Sequence, residues 1–138
     1  MQKLQFQIPE NCNMQHFVIT GSFPTLNEYL AACGKNPKAG NRMKREYMDI
    51  AAWEIRSQLK GYHTDKKIIL HYMIYEPNMK RDKDNVFCMI SKCVSDALQV
   101  CKVIDNDGWK NVENFTHDFF VDKANPRIEV YIEELEED

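Results

Sequence analysis

No run of apolar residues in this 138-residue chain approaches the roughly 18 to 20 needed to cross a bilayer, and the opening MQKLQFQIPEN has no long apolar stretch of the secretory type. A membrane role is therefore not expected, and the chain reads as cytoplasmic. No CxxC pair occurs among the five cysteines (Cys12, Cys33, Cys88, Cys93 and Cys101), so the usual half-site for zinc is missing. An odd count without tight spacing fits reduced, mostly buried thiols better than a disulfide framework. Internal repeats, low-complexity tracts and interdomain linkers are also missing, which leaves one domain over residues 1–138 with an acidic tail at 133–138. The four histidines (His16, His63, His71, His117) are scattered, and no elbow motif surrounds a serine or cysteine.

A surplus of positive charge is lacking too: the net charge is -3, which counts against a nucleic-acid partner. Its distribution softens the objection. Glu133, Glu134, Glu136, Glu137 and Asp138 are five acids at one end, and setting them aside turns -3 into +2 for residues 1–132. Between Lys35 and Arg45 stand Lys35, Lys38, Arg42, Lys44 and Arg45 with no acid among them. That stretch is the best candidate for contacting phosphates. A solvated loop and first helical turn account for it equally well.

What is present is a clear alternation of strand and helix signals. His16 to Ser22 is rich in β-branched and aromatic residues and runs into Gly21 and Pro24, the pattern of a strand entering a turn. A further short strand is expected at residues 4–8. From Arg42 to Lys60 apolar residues recur at steps of three and four, with Gly61 as a stop, so a helix is predicted with the cationic cluster at its start. Lys67 to Tyr75 is a compact apolar run of strand length, and Asn85 to Cys101 returns to helical spacing. Val112 to Val121 and Arg127 to Ile132 read as strands separated by the turn at Asn125-Pro126. The expectation is an α+β fold, a mixed sheet with two main helices in the order β-α-β-α-β-β.

The chemistry-bearing residues lie in two connectors. Lys80-Arg81-Asp82-Lys83-Asp84-Asn85 joins the central strand to the second helix, and in an extended chain Asp82 and Asp84 face the same side. Ile104-Asp105-Asn106-Asp107-Gly108 follows that helix. Carboxylates without histidine are the donor set of a hard divalent cation such as Mg²⁺. Caps and turns explain the same residues: Asp84 is placed as the N-cap of a helix beginning at Asn85, and DNDG is an ordinary turn composition. An EF-hand loop does not fit, because from Asp82 the sixth position is Phe87 and the twelfth Cys93.

The run Arg81-Asp82-Lys83-Asp84-Asn85, a helix closing in Asp96-Ala97-Leu98, and then Ile104-Asp105-Asn106-Asp107 resemble the RusA-like Holliday-junction resolvases, with their RDxDN, DAL and final DD pair. Pro24-Thr25-Leu26-Asn27 likewise resembles that family's Pro-x-x-Asn segment, particularly in phage and prophage members. The likeness spans about residues 16–132. It implies a homodimeric, Mg²⁺-dependent (or Mn²⁺-dependent) endonuclease acting on four-way junctions in recombination and repair within a bacterial host cell, with no small-molecule cofactor. Asp82, Asp84 and Asp107 are then the metal-binding catalytic carboxylates. Asn106 stands where the first Asp of the pair often lies, which leaves Asp105 as a secondary candidate. The family's helix lysine has Cys88 one turn beyond Asp84; counting back from Asp96-Ala97-Leu98 reaches Lys92 instead. The alternative for Lys92 is an exposed lysine paired with Asp96 at i, i+4. DNA-backbone contacts are expected from Lys35, Lys38, Arg42, Lys44 and Arg45, together with Lys80, Arg81 and Lys83. A nuclease for flaps or other replication intermediates, or a non-catalytic dimeric branched-DNA-binding protein, are the competing expectations.

Overall fold

A computed structural model of the chain describes residues 14–136, so the strand expected at 4–8, Cys12 and the last two acids of the tail lie outside the described residues. Seven elements follow one another: β1 (Gln15–Thr20), α1 (Leu26–Lys35), α2 (Pro37–Leu59), β2 (Ile68–Glu76), α3 (Lys83–Val100), β3 (Val112–Val121) and β4 (Arg127–Glu134). The class is α+β and the order is β-α-β-α-β-β, with the first helical position occupied by two helices instead of one.

The division at residues 35–37 has a local cause. Asn36 is extended (φ -166, ψ 153), ending α1 and at the same time capping α2 by accepting from the Ala39 N–H at 2.9 Å. Pro37 occupies the first turn of α2, where a missing N–H costs nothing, and it biases Asn36 away from the helical region. At the other end of α1, Thr25 and Glu28 form a reciprocal capping box. Consequently Lys35 closes α1, and Lys38 to Arg45 lie within the first turns of α2, not in a loop.

The four strands are ordered β1-β4-β2-β3, with β4 antiparallel to both neighbours and β2 parallel to β3. Alternation along each strand aims one set of side chains at the helices: Phe17 and Ile19 from β1, Leu70, Tyr72 and Ile74 from β2, and Ile128, Val130 and Ile132 from β4, all buried. Ala51, Ile55 and Leu59 of α2 and Val86, Ile90, Val94 and Ala97 of α3 meet them in one core. The five-acid tail is shorter than composition implies, because Glu133 and Glu134 belong to β4. Glu133 bonds the buried His71 at 2.9 Å, and Glu134 accepts from the Tyr62 hydroxyl.

Two consecutive contacts set the direction of the long helices. The Lys44 carbonyl lies against Cys93, and the Ala52 carbonyl accepts from Cys101; eight residues along α2 match eight along α3. The helices therefore run parallel, and the N-terminal turns of α2 lie at the end where α3 begins. No helix among the described residues is long and apolar enough to cross a membrane.

Candidate metal centre and cationic face

The connector after β2 is held by Arg81. Its guanidinium bonds both carboxylate oxygens of Glu76, at 2.9 and 3.0 Å, and the Phe23 carbonyl at 2.7 Å. Glu76 is buried, and a buried carboxylate is tolerated only when paired in this way. Arg81 is thus committed to clamping the end of β2 to the β1–α1 connection, a structural duty in place of the DNA contact expected from sequence.

Asp82 follows as the N-cap residue of α3, so the helix starts two residues earlier than expected and Asp84 is not its cap. The Asp82 side chain makes no capping hydrogen bond. Asp84 sits in the first helical turn, where its carboxylate accepts from the Asn85 N–H at 2.9 Å. Asp82, Lys83 and Asp84 are all exposed. Asn85 reaches across to α1 and accepts from the Asn27 N–H at 3.2 Å, drawing the start of α1 to the start of α3. Two exposed carboxylates thus stand beside two helix N-termini, at the end of the sheet where β2 finishes.

Asp107 lies at the opposite end. α3 is 18 residues long, a rise of about 27 Å. After it, the Val103 carbonyl accepts from the Thr64 N–H at 2.9 Å and the Asn111 carbonyl from the Ile68 N–H at 3.0 Å, pinning the connector to the beginning of β2. Parallel pairing sets Val112 beside Ile68 and Val121 beside Glu76. Five residues separate Asp107 from Val112, a reach of at most about 18 Å, too short to return along the sheet. One chain therefore does not bring Asp107 to Asp82 and Asp84. Among the described residues, the group of three metal-capable side chains with ligand atoms within 4.8 Å of one another is His63, Asp65 and Asp105, all exposed. His63 there bonds the Lys102 carbonyl at 2.7 Å and Asp65 at 3.0 Å. Asp105 is drawn to this group at the Asp107 end.

The cations divide by what they touch. Lys38, Arg42 and Arg45, with Asn41, line a shallow concavity of about 330 Å³ on one face of α2. Spacing of i, i+3, i+4 and i+7 puts them in one row. Cations in the first turns of a helix oppose its dipole, and α2 has no acid in its first turn, so helix stability does not explain the row. Lys44 points the other way and pairs with Asp96 at 3.0 Å. That contact withdraws Lys44 from the cationic face and takes the partner expected for Lys92, which is exposed on α3 about 12 Å of helix rise from Asp84. Lys80 and Lys83 are exposed, and Lys83 lies 5.9 Å over the Phe119 ring.

Several other reactive side chains are held in structural surroundings. Burial pushes the Cys93 thiol up to about 11 and raises that of Cys101, which keeps both protonated within the core. His71 is buried against Thr116 and Glu133, His16 stacks on Tyr131, and His117 packs on Phe87. Sequence reasoning passed over Trp109 and Met79, the most exposed large apolar side chains among the described residues, at 95% and 90%. Their signal was only an apolar residue inside a polar turn.

No protein-family model matches the chain, and comparison with curated proteins finds no match.

Proposed function

We propose that the protein is a Mg²⁺-dependent endonuclease that cuts branched DNA, resolving four-way junctions by paired symmetric cuts. It acts as a homodimer in which Asp82 and Asp84 of one copy work with Asp107 of the other. The observation that carries the reading is Asp82: it occupies an N-cap position yet caps nothing, and Asp84 stands exposed two residues on. An all-oxygen pair of carboxylates fits Mg²⁺, which is commonly held by one or two carboxylates together with substrate phosphates; Mn²⁺ fits the same donors. When bound, such an ion supplies charge neutralisation at the scissile phosphate and acidifies a bound water.

The chain's own residues supply position. Lys38, Arg42 and Arg45 project from the turns of α2 that lie at the Asp82 end, so a phosphate backbone tracking this row passes the carboxylates. Such contacts orient a duplex without reading bases, as recognition of a branch by shape requires. Arg81, through Glu76, holds the connector that bears Asp82. A twofold protein presents two such sites to a twofold substrate, which accounts for paired cuts.

The separation of Asp107 from the other two aspartates favours a second reading, a branched-DNA-binding protein without catalysis; a flap nuclease is a third. The discriminating experiment is a synthetic four-way junction incubated with the protein and Mg²⁺, beside flap and duplex controls. Paired symmetric nicks on the junction are expected. Asp82→Asn retains an equally good capping residue, so its stability should stay within about 0.5 kcal/mol of wild type while cutting falls roughly 10²–10³-fold, as when a charge-stabilising group is lost from an active site. Binding without nicking by the wild type sinks the nuclease reading.

A further inference from the structure

We propose that His63, Asp65 and Asp105 form a second metal site, for a transition-metal ion of the Zn²⁺ class, at the end of the sheet away from Asp82 and Asp84. One ring nitrogen of His63 and one carboxylate oxygen from each aspartate lie within 4.8 Å of one another. His63 Nδ1 meets the Lys102 carbonyl at 2.7 Å, and because a carbonyl only accepts, Nδ1 carries the proton there. That leaves Nε2 to face Asp65 Oδ1 at 3.0 Å. Both atoms are acceptors when the ring is neutral, so the contact calls for a proton or a metal ion between them. A proton joins one such pair; the third donor, Asp105, is what an ion uses and a proton does not. A ring N–H bonded to a backbone carbonyl on the far side is also the usual support of a metal-binding histidine.

The backbone that bears the three ligands is fixed in place. His63 and Asp65 flank Thr64, which is buried and donates its N–H to the Val103 carbonyl at 2.9 Å. Val103 and Ile104 are buried just before Asp105. The α2–β2 and α3–β3 connectors are therefore already joined where the ligands stand, and little ordering remains for binding to require. The lysines next in sequence to Asp65 are engaged elsewhere: Lys66 pairs with Glu134 and Glu136, each at 3.8 Å, and Lys67 with Glu113 at 3.1 Å. Distances suit the ion. Ligand atoms about 2.1 Å from Zn²⁺ stand roughly 3.0–3.4 Å apart when adjacent, a range that includes the 3.0 Å between Nε2 and Oδ1. One imidazole with two carboxylates is a mixed donor set that suits Zn²⁺ better than Mg²⁺, which takes oxygen ligands. All three side chains are exposed, which leaves room for the water that completes a three-ligand Zn²⁺ site.

Isothermal titration calorimetry of the full chain with Zn²⁺, in a background of excess Mg²⁺, tests the site. One ion per chain is expected, at micromolar affinity or tighter. His63→Ala and the isosteric Asp65→Asn should each weaken that binding at least about 10-fold, the scale on which even groups behind the ligands act. His16→Ala is the control for an exposed histidine elsewhere and should leave it unchanged. Asp82→Asn should leave it unchanged too, which separates this site from the proposed Mg²⁺ centre. With Co²⁺ in place of Zn²⁺, the absorption spectrum should show d–d bands without a thiolate-to-metal charge-transfer band. Zn²⁺ should also raise the melting temperature of wild type, and that of His63→Ala far less. A wild type that takes up no Zn²⁺ overturns the proposal, as does binding indifferent to both ligand variants or a thiolate band that marks cysteine as the ligand. Affinity lost on Asp82→Asn but kept in His63→Ala places the ion at the other centre and likewise overturns it. A positive result stands whether or not the protein cuts DNA.

Discussion

Individual side chains show which sequence signals survive folding. That Asp82 and Asp84 stand together was legible because RDKDN lies where a strand gives way to a helix. The cap assignment shifted because Asp82, Asp84 and Asn85 are all competent at a helix start, and Asp82 is the one with extended φ and ψ, next to the Arg81 that ties the connector to Glu76 and Phe23. Arg81 illustrates the reverse. A guanidinium in a basic run looks available to phosphate until a buried carboxylate five residues away claims it. His63 carries a prediction of its own. The Lys102 carbonyl first, and then the Asp65 carboxylate, raise its pKa from the ordinary 6.5. A pKa higher in the folded than in the unfolded chain means the imidazolium's contribution is complete below the unfolded value and disappears as pH rises through the folded one. His63→Ala should therefore lower the melting temperature more at pH 5.5 than at pH 8.5, and proton NMR titration of His63 should give a value above that of a free histidine. Equal losses at the two pH values would remove the assignment.

Among the elements, strands and the α3 stripe were readable from periodicity alone, because apolar residues buried against a sheet must recur at two or at three to four. α1 was not read as a helix. It buries no residue completely, so its apolar period is weak, yet Thr25-Leu26-Asn27-Glu28 carried the capping-box signature that marks its start. Its end was hidden by Gly34, Pro37 and Gly40, which resemble loop composition. Gly40 is in fact inside α2, where it lets the two helices approach: a Cβ there would lie 2.2 Å from Cys33 Sγ and 3.2 Å from Cys33 Cα. Replacing a helical glycine by alanine ordinarily gains about 1 kcal/mol, whereas overpacking costs about 1–3 kcal/mol. Gly40→Ala should thus give a net loss of up to about 2 kcal/mol in urea denaturation. In a Cys33→Ala background most of that loss should vanish. A stabilised single variant would show that the helix crossing accommodates the added methyl.

For the molecule as a whole, the fold class was legible, whereas the spatial grouping of the candidate aspartates was not. Three aspartates in sequence order look like one centre, but α3 separates them by the length of the domain, and nothing in a linear pattern records that a helix lies between ligands. If, as proposed, a second copy restores them, mixing experiments read this directly. Asp82→Asn and Asp107→Asn should each be inactive alone. Mixed and allowed to exchange, they should form a heterodimer with one intact centre and one doubly damaged, which nicks a single strand of the junction without the paired cut. A site built within one chain gives no recovery on mixing.

The strand order β1-β4-β2-β3 also constrains how the chain reaches this state. Among the described residues β1 pairs with β4 alone, from Thr20 beside Arg127 to Gln15 beside Ile132, so the earliest described strand waits for the latest before it has a described strand beside it. β2 and β3 can zip together around α3 beforehand, but the sheet closes only when β4 slots between β1 and β2. Pairings so distant along the chain delay folding, because loop-closure entropy must be met before they contribute. A nascent chain that stops short of Arg127 leaves Phe17 and Ile19 exposed on an unpaired strand, an intermediate prone to aggregate. Insertion of β4 is thus the step that this topology leads one to expect late in folding.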